Sequence, residues 1–437
     1  MQLAPPMRIV IMGLVVLLGC GDDSGVPDAD ADSGGDSAVD GGVPDVGTDA
    51  AADAAMDAAD DAEVDAAADA AMDSTTEAGV DAATDASPDA TDAAPDATDA
   101  GPVCPLGAIC DDPDMNYAFV TSTTRMMGDI GGLAGADVIC NDAATAAGLP
   151  GTYVAWLSTS TVDAIDRLGT ASGWLRTDYR PFAQSIADLL ASDLRYPLNI
   201  DENGVRVSEA GIVPTATEAD GTLSGTETCA DWTDSTASRR PIGGSMDSGG
   251  ERWTRGFLMN CDMVVRIYCF GVDNVHPYAL PVVEGRLGWV STGTLPANAG
   301  LAAADALCVA EGVGLTGTPR ALLATTAASA ISRFDTTGLP WIRPDGVLVW
   351  ASAAGPTTEA TLIAPLIQQF DGTAAQLRAW TGAVNPFDGL VLNCSDWTST
   401  DGGDRSRTGT SDTTRASWFG GGPTTCDRNN HVYCLED

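Results

Sequence analysis

The chain closes on CDRNNHVYCL, residues 426–435, and 165 residues earlier it reads CDMVVRIYCF, residues 261–270. Each is Cys-Asp, five residues, Tyr-Cys and one apolar residue. Working outward, the match extends. Cys140, Cys229, Cys261 and Cys269 are separated by 89, 32 and 8 residues, and Cys308, Cys394, Cys426 and Cys434 by 86, 32 and 8. Ala136-Asp137 precedes the first set as Ala304-Asp305 precedes the second, and Ala164-Ile165-Asp166-Arg167-Leu168 answers Ala330-Ile331-Ser332-Arg333-Phe334. Trp174-Leu175-Arg176 answers Trp341-Ile342-Arg343, and Cys229-Ala230-Asp231-Trp232-Thr233 answers Cys394-Ser395-Asp396-Trp397-Thr398. Trp253 and Trp418 each stand eight residues before the third cysteine. So many shared offsets mean one unit written twice.

Within each copy the expected structure is mixed. Ala136, Ile139, Cys140, Ala143 and Ala147 follow helical spacing up to Gly148 and Pro150, and Leu301, Ala304, Leu307, Cys308 and Glu311 do so up to Gly312. A second helix is predicted over 162–168 and over 327–334. Val264, Val265, Ile267 and Tyr268 predict one strand over 263–270. Fully extended, that strand would hold Cys261 and Cys269 ~26 Å apart, far beyond the ~7 Å reach of a disulfide. The long intervals before Cys229 and Cys394 read as loops with short strands, not a parallel sheet.

Outside the repeats the composition changes. Residues 21–102 carry 24 acidic and no basic side chains, whereas residues 103–437 carry 38 acidic and 20 basic ones, so over half of the formal charge of −41 belongs to one segment. From Asp45 to Asp89 an acidic residue falls at every fourth position. Such like charges at i,i+4 oppose a helix, and without large apolar side chains the segment buries no core. It reads as a self-repelling tether, ~50 Å across as an ideal coil of that length. Ahead of it, Arg8, the apolar run 9–18 and Leu17-Leu18-Gly19-Cys20 resemble a bacterial lipoprotein leader, with Met1 or Met7 as start and Cys20 as lipid acceptor. The run is too short to span a bilayer.

All 21 basic residues are Arg and none forms a large cluster, which argues against nucleic acid as a partner. The expected membrane contact is through the lipid anchor alone. Of the 11 cysteines, Cys20 is set aside for lipid and ten remain, an even number suited to a disulfide framework in an exported chain. Four cysteines allow three pairings, and spacing leaves the choice open. With no Cys-x-x-Cys, and with His276 and His431 the only histidines, a zinc site is disfavoured. His431 is expected on a strand surface. No Ser-His-acid or Cys-His set offers nucleophilic catalysis.

These features resemble the C-type lectin-like and endostatin-like arrangement, as found in tandem in exported bacterial lipoproteins. The resemblance rests on Phe119-Val120-Thr121-Ser122, Gly131-Gly132-Leu133-Ala134-Gly135-Ala136-Asp137, Ala155-Trp156-Leu157-Ser158, Asp231-Trp232-Thr233 and Tyr268-Cys269-Phe270, and it covers roughly 115–272 and 285–437. It implies an α+β fold of two tandem lectin-like domains, 104–273 and 280–437, after the leader 1–19 and the tether 20–103. It implies nested bridges, Cys140 with Cys269 and Cys229 with Cys261, then Cys308 with Cys434 and Cys394 with Cys426, and a local staple of Cys104 with Cys110. The wide bridge so implied in the first repeat, from Cys140 to Cys269, would close 130 residues and contribute ~4–5 kcal/mol in the chain-entropy model.

The Glu-Pro-Asn or Gln-Pro-Asp and Trp-Asn-Asp tripeptides of sugar-binding members are missing; the corresponding text is Trp253-Thr254-Arg255 and Trp418-Phe419-Gly420. The family's calcium-and-sugar site therefore does not carry over. The candidate ligand residues are Asp231, Trp232, Asp396, Trp397 and Asp388, and the candidate calcium ligands are Asp201 and Glu202; no other cofactor is expected. A tryptophan packed on the bridge and a solvated turn are the structural alternatives. The expected function is non-enzymatic binding of an extracellular or envelope protein or polysaccharide by a monomeric, outer-membrane lipoprotein, surface-exposed or periplasm-facing. A structural envelope component and a carboxylate-dependent hydrolase are the alternatives.

Overall fold

Helical periodicity is realised where the spacing is longest. Gly132–Ala147 is α-helical, buries Ala136, Cys140 and Ala144, and stops at Gly148, whose left-handed backbone returns its N–H to the carbonyls of Ala144 and Thr145. Gly300–Glu311 repeats the pattern with Ala304 and Cys308 buried. The computed structural model describes residues 104–110, 114–209, 211–389 and 391–437. The leader, Cys20 and the acidic tether lie outside the described residues.

Each helix covers a mixed sheet. In the first repeat the strand order is Tyr153–Ala155, Tyr268–Gly271, Asn116–Val120, Trp174–Arg176, Pro181–Ala183. Asn116–Val120 runs antiparallel to Tyr268–Gly271 but parallel to Trp174–Arg176. The second repeat keeps this core, with Pro319–Ala321, Asn429–Glu436, Arg286–Val290 and, in parallel, Trp341–Ile342. The long intervals do hold short strands and no wholly parallel sheet, but each core includes one parallel pair that the sequence reading did not specify, and the helix between the two strands supplies the long crossover that such a pair requires.

Side chains alternate across these strands. In the first repeat Phe119, Cys269, Tyr153 and Ala155 face the helix and the disulfides. Ala118, Val120, Tyr268 and Phe270 face a second cluster built on Trp156, Trp174, Phe182 and Trp253. Cys434 and Trp289 against Tyr433 and Val290 divide the second repeat in the same way. The described residues form a mixed helix-and-sheet fold of the α+β kind with five disulfides, Cys104–Cys110, Cys140–Cys269, Cys229–Cys261, Cys308–Cys434 and Cys394–Cys426.

Two predicted elements differ. The second helices are single 3-10 turns, Ile165–Leu168 and Ile331–Arg333. Their apolar residues fill less than two turns, too few to sustain a helix. Each instead positions an arginine: Arg167 pairs with Asp137 at 2.5 Å and Arg333 with Asp305 at 2.5 Å. The closing strand is continuous in the second repeat, Asn429–Glu436, but broken in the first into Val264–Val265 and Tyr268–Gly271. At the break Arg266 donates to the carbonyls of Thr121 and Ser122. His431, at the matching position, is half-buried, with Nδ1 2.7 Å from the Ser291 carbonyl oxygen.

The described residues of both repeats belong to one compact unit. They meet across a local two-fold relation that the sequence register makes explicit, because Asp247 and Asp412 both stand fourteen residues before the third cysteine. The Gly249 N–H donates to the Asp412 carbonyl at 2.8 Å, and the Thr414 N–H to the Asp247 carbonyl at 2.9 Å. Between these bonds Ser248 and Thr413 form an antiparallel bridge. Both aspartate side chains are almost fully buried, and each takes an arginine from the other repeat: Arg415 reaches Asp247 at 2.6 Å and Arg252 reaches Asp412 at 3.2 Å. Arg195 pairs with Asp345 at 3.0 Å. Tyr196 inserts among Val283, Ile342, Val347, Leu348 and Ala364, and its hydroxyl accepts the Leu348 N–H at 3.1 Å.

Candidate functional site

The Asp-Trp pairs lie in an unusual backbone. Cys229, Ala230, Asp231 and Trp232 all have positive φ, 53°, 49°, 53° and 68°, and Cys394 to Trp397 repeat this at 53°, 55°, 53° and 62°. Each is one left-handed turn, costly for residues with a Cβ. Its start is capped by a side chain: Thr228 Oγ1 accepts the Asp231 N–H at 3.0 Å, and Asn393 Oδ1 the Asp396 N–H at 3.0 Å.

The turn points its tryptophan inward. Trp232 and Trp397 are buried beside the bridges, and their Nε1–H groups donate to the carbonyls of Ser158 and Ala324, both at 2.9 Å. Neither indole presents a face to a ligand. Asp231 accepts the Ser160 N–H at 2.8 Å, the Ser160 hydroxyl at 2.7 Å and the Thr228 hydroxyl at 2.9 Å. Asp396 accepts the Thr326 N–H at 2.7 Å and the Asn393 amide at 2.6 Å. The Thr326 N–H and hydroxyl, with Asn393, hold the Asp396 carboxyl below the usual range. Burial pushes Asp231 up, but the bonds from Ser160 and Thr228 outweigh it and leave it lowered. Both carboxylates latch the turn to a neighbouring loop.

The other sequence-predicted residues work within separate turns. Asp201 and Glu202 are buried rather than solvated. Asp201 Oδ1 accepts the N–H groups of Asn203 and Val205 at 2.9 and 3.1 Å, and Glu202 Oε2 accepts the Ser122 N–H at 2.7 Å. Asp388 closes a turn with Asn385, whose Oδ1 accepts the Asp388 N–H at 2.7 Å and whose amide donates to Asp388 Oδ2 at 2.5 Å. Among the described residues no group of three or more His, Cys, Asp or Glu is placed to hold a metal ion.

The concave surface lies elsewhere, at the seam between the repeats. The turn Gly250–Trp253 buries Trp253 in the first core and so presents Arg252, with Arg255 shortly after, toward the second repeat. There Gln376, Leu377 and Arg378, at the start of the strand Arg378–Trp380, form the facing wall with Thr410 and Asp412. The cleft measures about 510 Å³ and adjoins a second of about 450 Å³. Arg252, Phe257 and Thr410 line both. The larger carries Arg252, Arg255 and Arg378, with the carboxylates Glu251 and Asp412, beside Ile242, Phe257, Leu258 and Leu377. The smaller holds Arg415 and Asp247, and Ser417 stands where the repeat register puts Arg252.

These arginines are not equivalent. Arg252 binds Asp412 and stacks 5.2 Å from the centre of the Phe257 ring. Arg255 is held by Glu218 at 2.7 Å and Glu251 at 3.5 Å. Arg378 is exposed and donates only a long bond, 3.4 Å, to the Thr408 hydroxyl. Among the described residues no carboxylate forms an ion pair with it.

Sequence reasoning missed this site because its walls come from two copies. No single copy contains it, and a repeat search rewards what the copies share rather than the arginines by which they differ. The usable signal was the departure at Trp253-Thr254-Arg255, where the second repeat reads Trp418-Phe419-Gly420. No protein-family model matches the chain, and a search of curated proteins gives no match.

Proposed function

We propose that the chain is a bacterial surface lipoprotein, acylated at Cys20 and set off from the outer membrane by its acidic tether, that binds an extracellular or envelope ligand without catalysis. In this reading the two repeats are lectin-like domains joined face to face into one binding head. The ligand, protein or polysaccharide, is taken at the seam rather than by each domain alone. The observation that carries the reading is the seam cleft of about 510 Å³, which joins apolar walls to three arginines, two of them paired with carboxylates and Arg378, among the described residues, without one. The segment before each third cysteine, which bears ligand side chains in the family resembled, here bears the seam contacts.

The test is capture from envelope polysaccharide and protein fractions by the full chain carrying Cys20→Ser, compared with the same chain carrying Phe257→Ala. Saturable capture, weakened by the second substitution and without cleavage of the captured material, is expected. Turnover of the captured polymer, or capture unaffected by Phe257→Ala, would overturn it.

A further inference from the structure

We infer that the larger seam cleft recognises a sugar bearing a carboxylate, of the uronic- or sialic-acid class. This rests on the seam reading above and narrows its ligand. Three features argue for it together. Arg252 and Arg255 are already engaged by Asp412, Glu218 and Glu251, whereas Arg378 keeps its guanidinium donors for something outside the chain. A guanidinium fork matches a carboxylate in a bidentate, planar manner. The same cleft is lined by apolar side chains, among which Leu258 is 61% exposed and Phe257 is half-buried. A guanidinium without a carboxylate partner, in one cleft with an exposed leucine, suits a ring with one ionised edge and a C–H face.

Charge narrows the class further. The chain outside the leader and tether carries a formal charge of −18, so a dense polyanion is repelled at long range while one carboxylate delivered to Arg378 is not. A volume of about 510 Å³ lies within the range of small-molecule sites, ~300–1,000 Å³, room for a short oligosaccharide segment.

The full chain carrying Cys20→Ser is titrated calorimetrically with galacturonate, glucuronate and sialylated trimers and with neutral trimers of matching size. Alongside it run Arg378→Ala, the charge-retaining Arg378→Lys and Leu258→Asp, each checked for an unchanged melting temperature. An acidic trimer is expected to bind, neutral trimers at least about tenfold more weakly, with Arg378→Ala losing about tenfold and Arg378→Lys less. Equal affinity for neutral and acidic trimers, with loss on Leu258→Asp, overturns the acidic ligand and leaves the cleft as the binding site. Acidic binding insensitive to both Arg378→Ala and Leu258→Asp overturns the cleft itself. Binding of no carbohydrate overturns the inference, while capture of a protein through Phe257 would keep the broader reading.

Discussion

Buried charge decides much at the scale of single residues. Arg176 and Arg343, the arginines of the two Trp-x-Arg matches, are 2% and 1% exposed. Each binds an aspartate two residues on, Asp178 at 2.5 Å and Asp345 at 2.6 Å. Burial alone would push Asp178 up, but the guanidinium groups of Arg176 and Arg180 outweigh it and hold its carboxyl at about 2. A folded-state value below the unfolded value means that the stabilisation is present above the unfolded value of ~3.9 and is lost as pH falls toward 2. Ionisation of Asp178 beside Arg176 and Arg180 therefore contributes about 2 kcal/mol at neutral pH relative to the protonated form, and urea melts between pH 5 and pH 2 are expected to show its loss. Asp178→Asn should be less stable at neutral pH and flatter across that window. At the seam, Asp247→Ala strands Arg415 without its carboxylate and should cost about 3–5 kcal/mol, measured by chemical denaturation. The Trp-x-Arg match was visible as a repeat. Its chemistry was not, because a buried arginine is written with the same letter as an exposed one.

Elements were legible in proportion to their length. Sixteen residues of Gly132–Ala147 give several turns of periodicity and a glycine stop. Strands of three residues, such as Trp174–Arg176, give none, so the parallel pairing was invisible. The Cys-x-Asp-Trp match marked one cysteine in each repeat but neither its partner, which only the family resemblance implied, nor its backbone, since four consecutive left-handed residues run against local preference and are held by Thr228, Ser160 and the disulfide. Relief of that preference is testable: Ala230→Gly should raise stability by about 0.5–1 kcal/mol in thermal melts. The converse holds where a strand passes close to a turn. A Cβ on Gly244 would sit 1.9 Å from the Trp253 carbonyl oxygen, and on Gly409 1.7 Å from that of Trp418. Gly244→Ala should cost about 1–3 kcal/mol or prevent folding.

At the scale of the whole molecule, the repeats are coupled rather than strung together. Reading them as separate modules suggests two binding events and avidity. The cross-repeat bonds of Asp247, Asp412, Arg195 and Tyr196 make one cooperative body instead. One calorimetric transition is expected for the oxidised chain, and two resolved transitions would contradict this coupling. The face-to-face relation is tested most directly by a cross-link on its axis. Ser248 and Thr413 are a non-hydrogen-bonded antiparallel pair, whose Cα atoms lie ~4.5 Å apart in ideal geometry, close enough for a disulfide. In the chain carrying Ser248→Cys and Thr413→Cys with Cys20→Ser, a sixth bridge joining the two substituted positions should form spontaneously. Peptide mapping would show it, with no free thiol remaining. Two free thiols at these positions under oxidising conditions, or bridging only between molecules, would contradict the face-to-face pairing of the repeats.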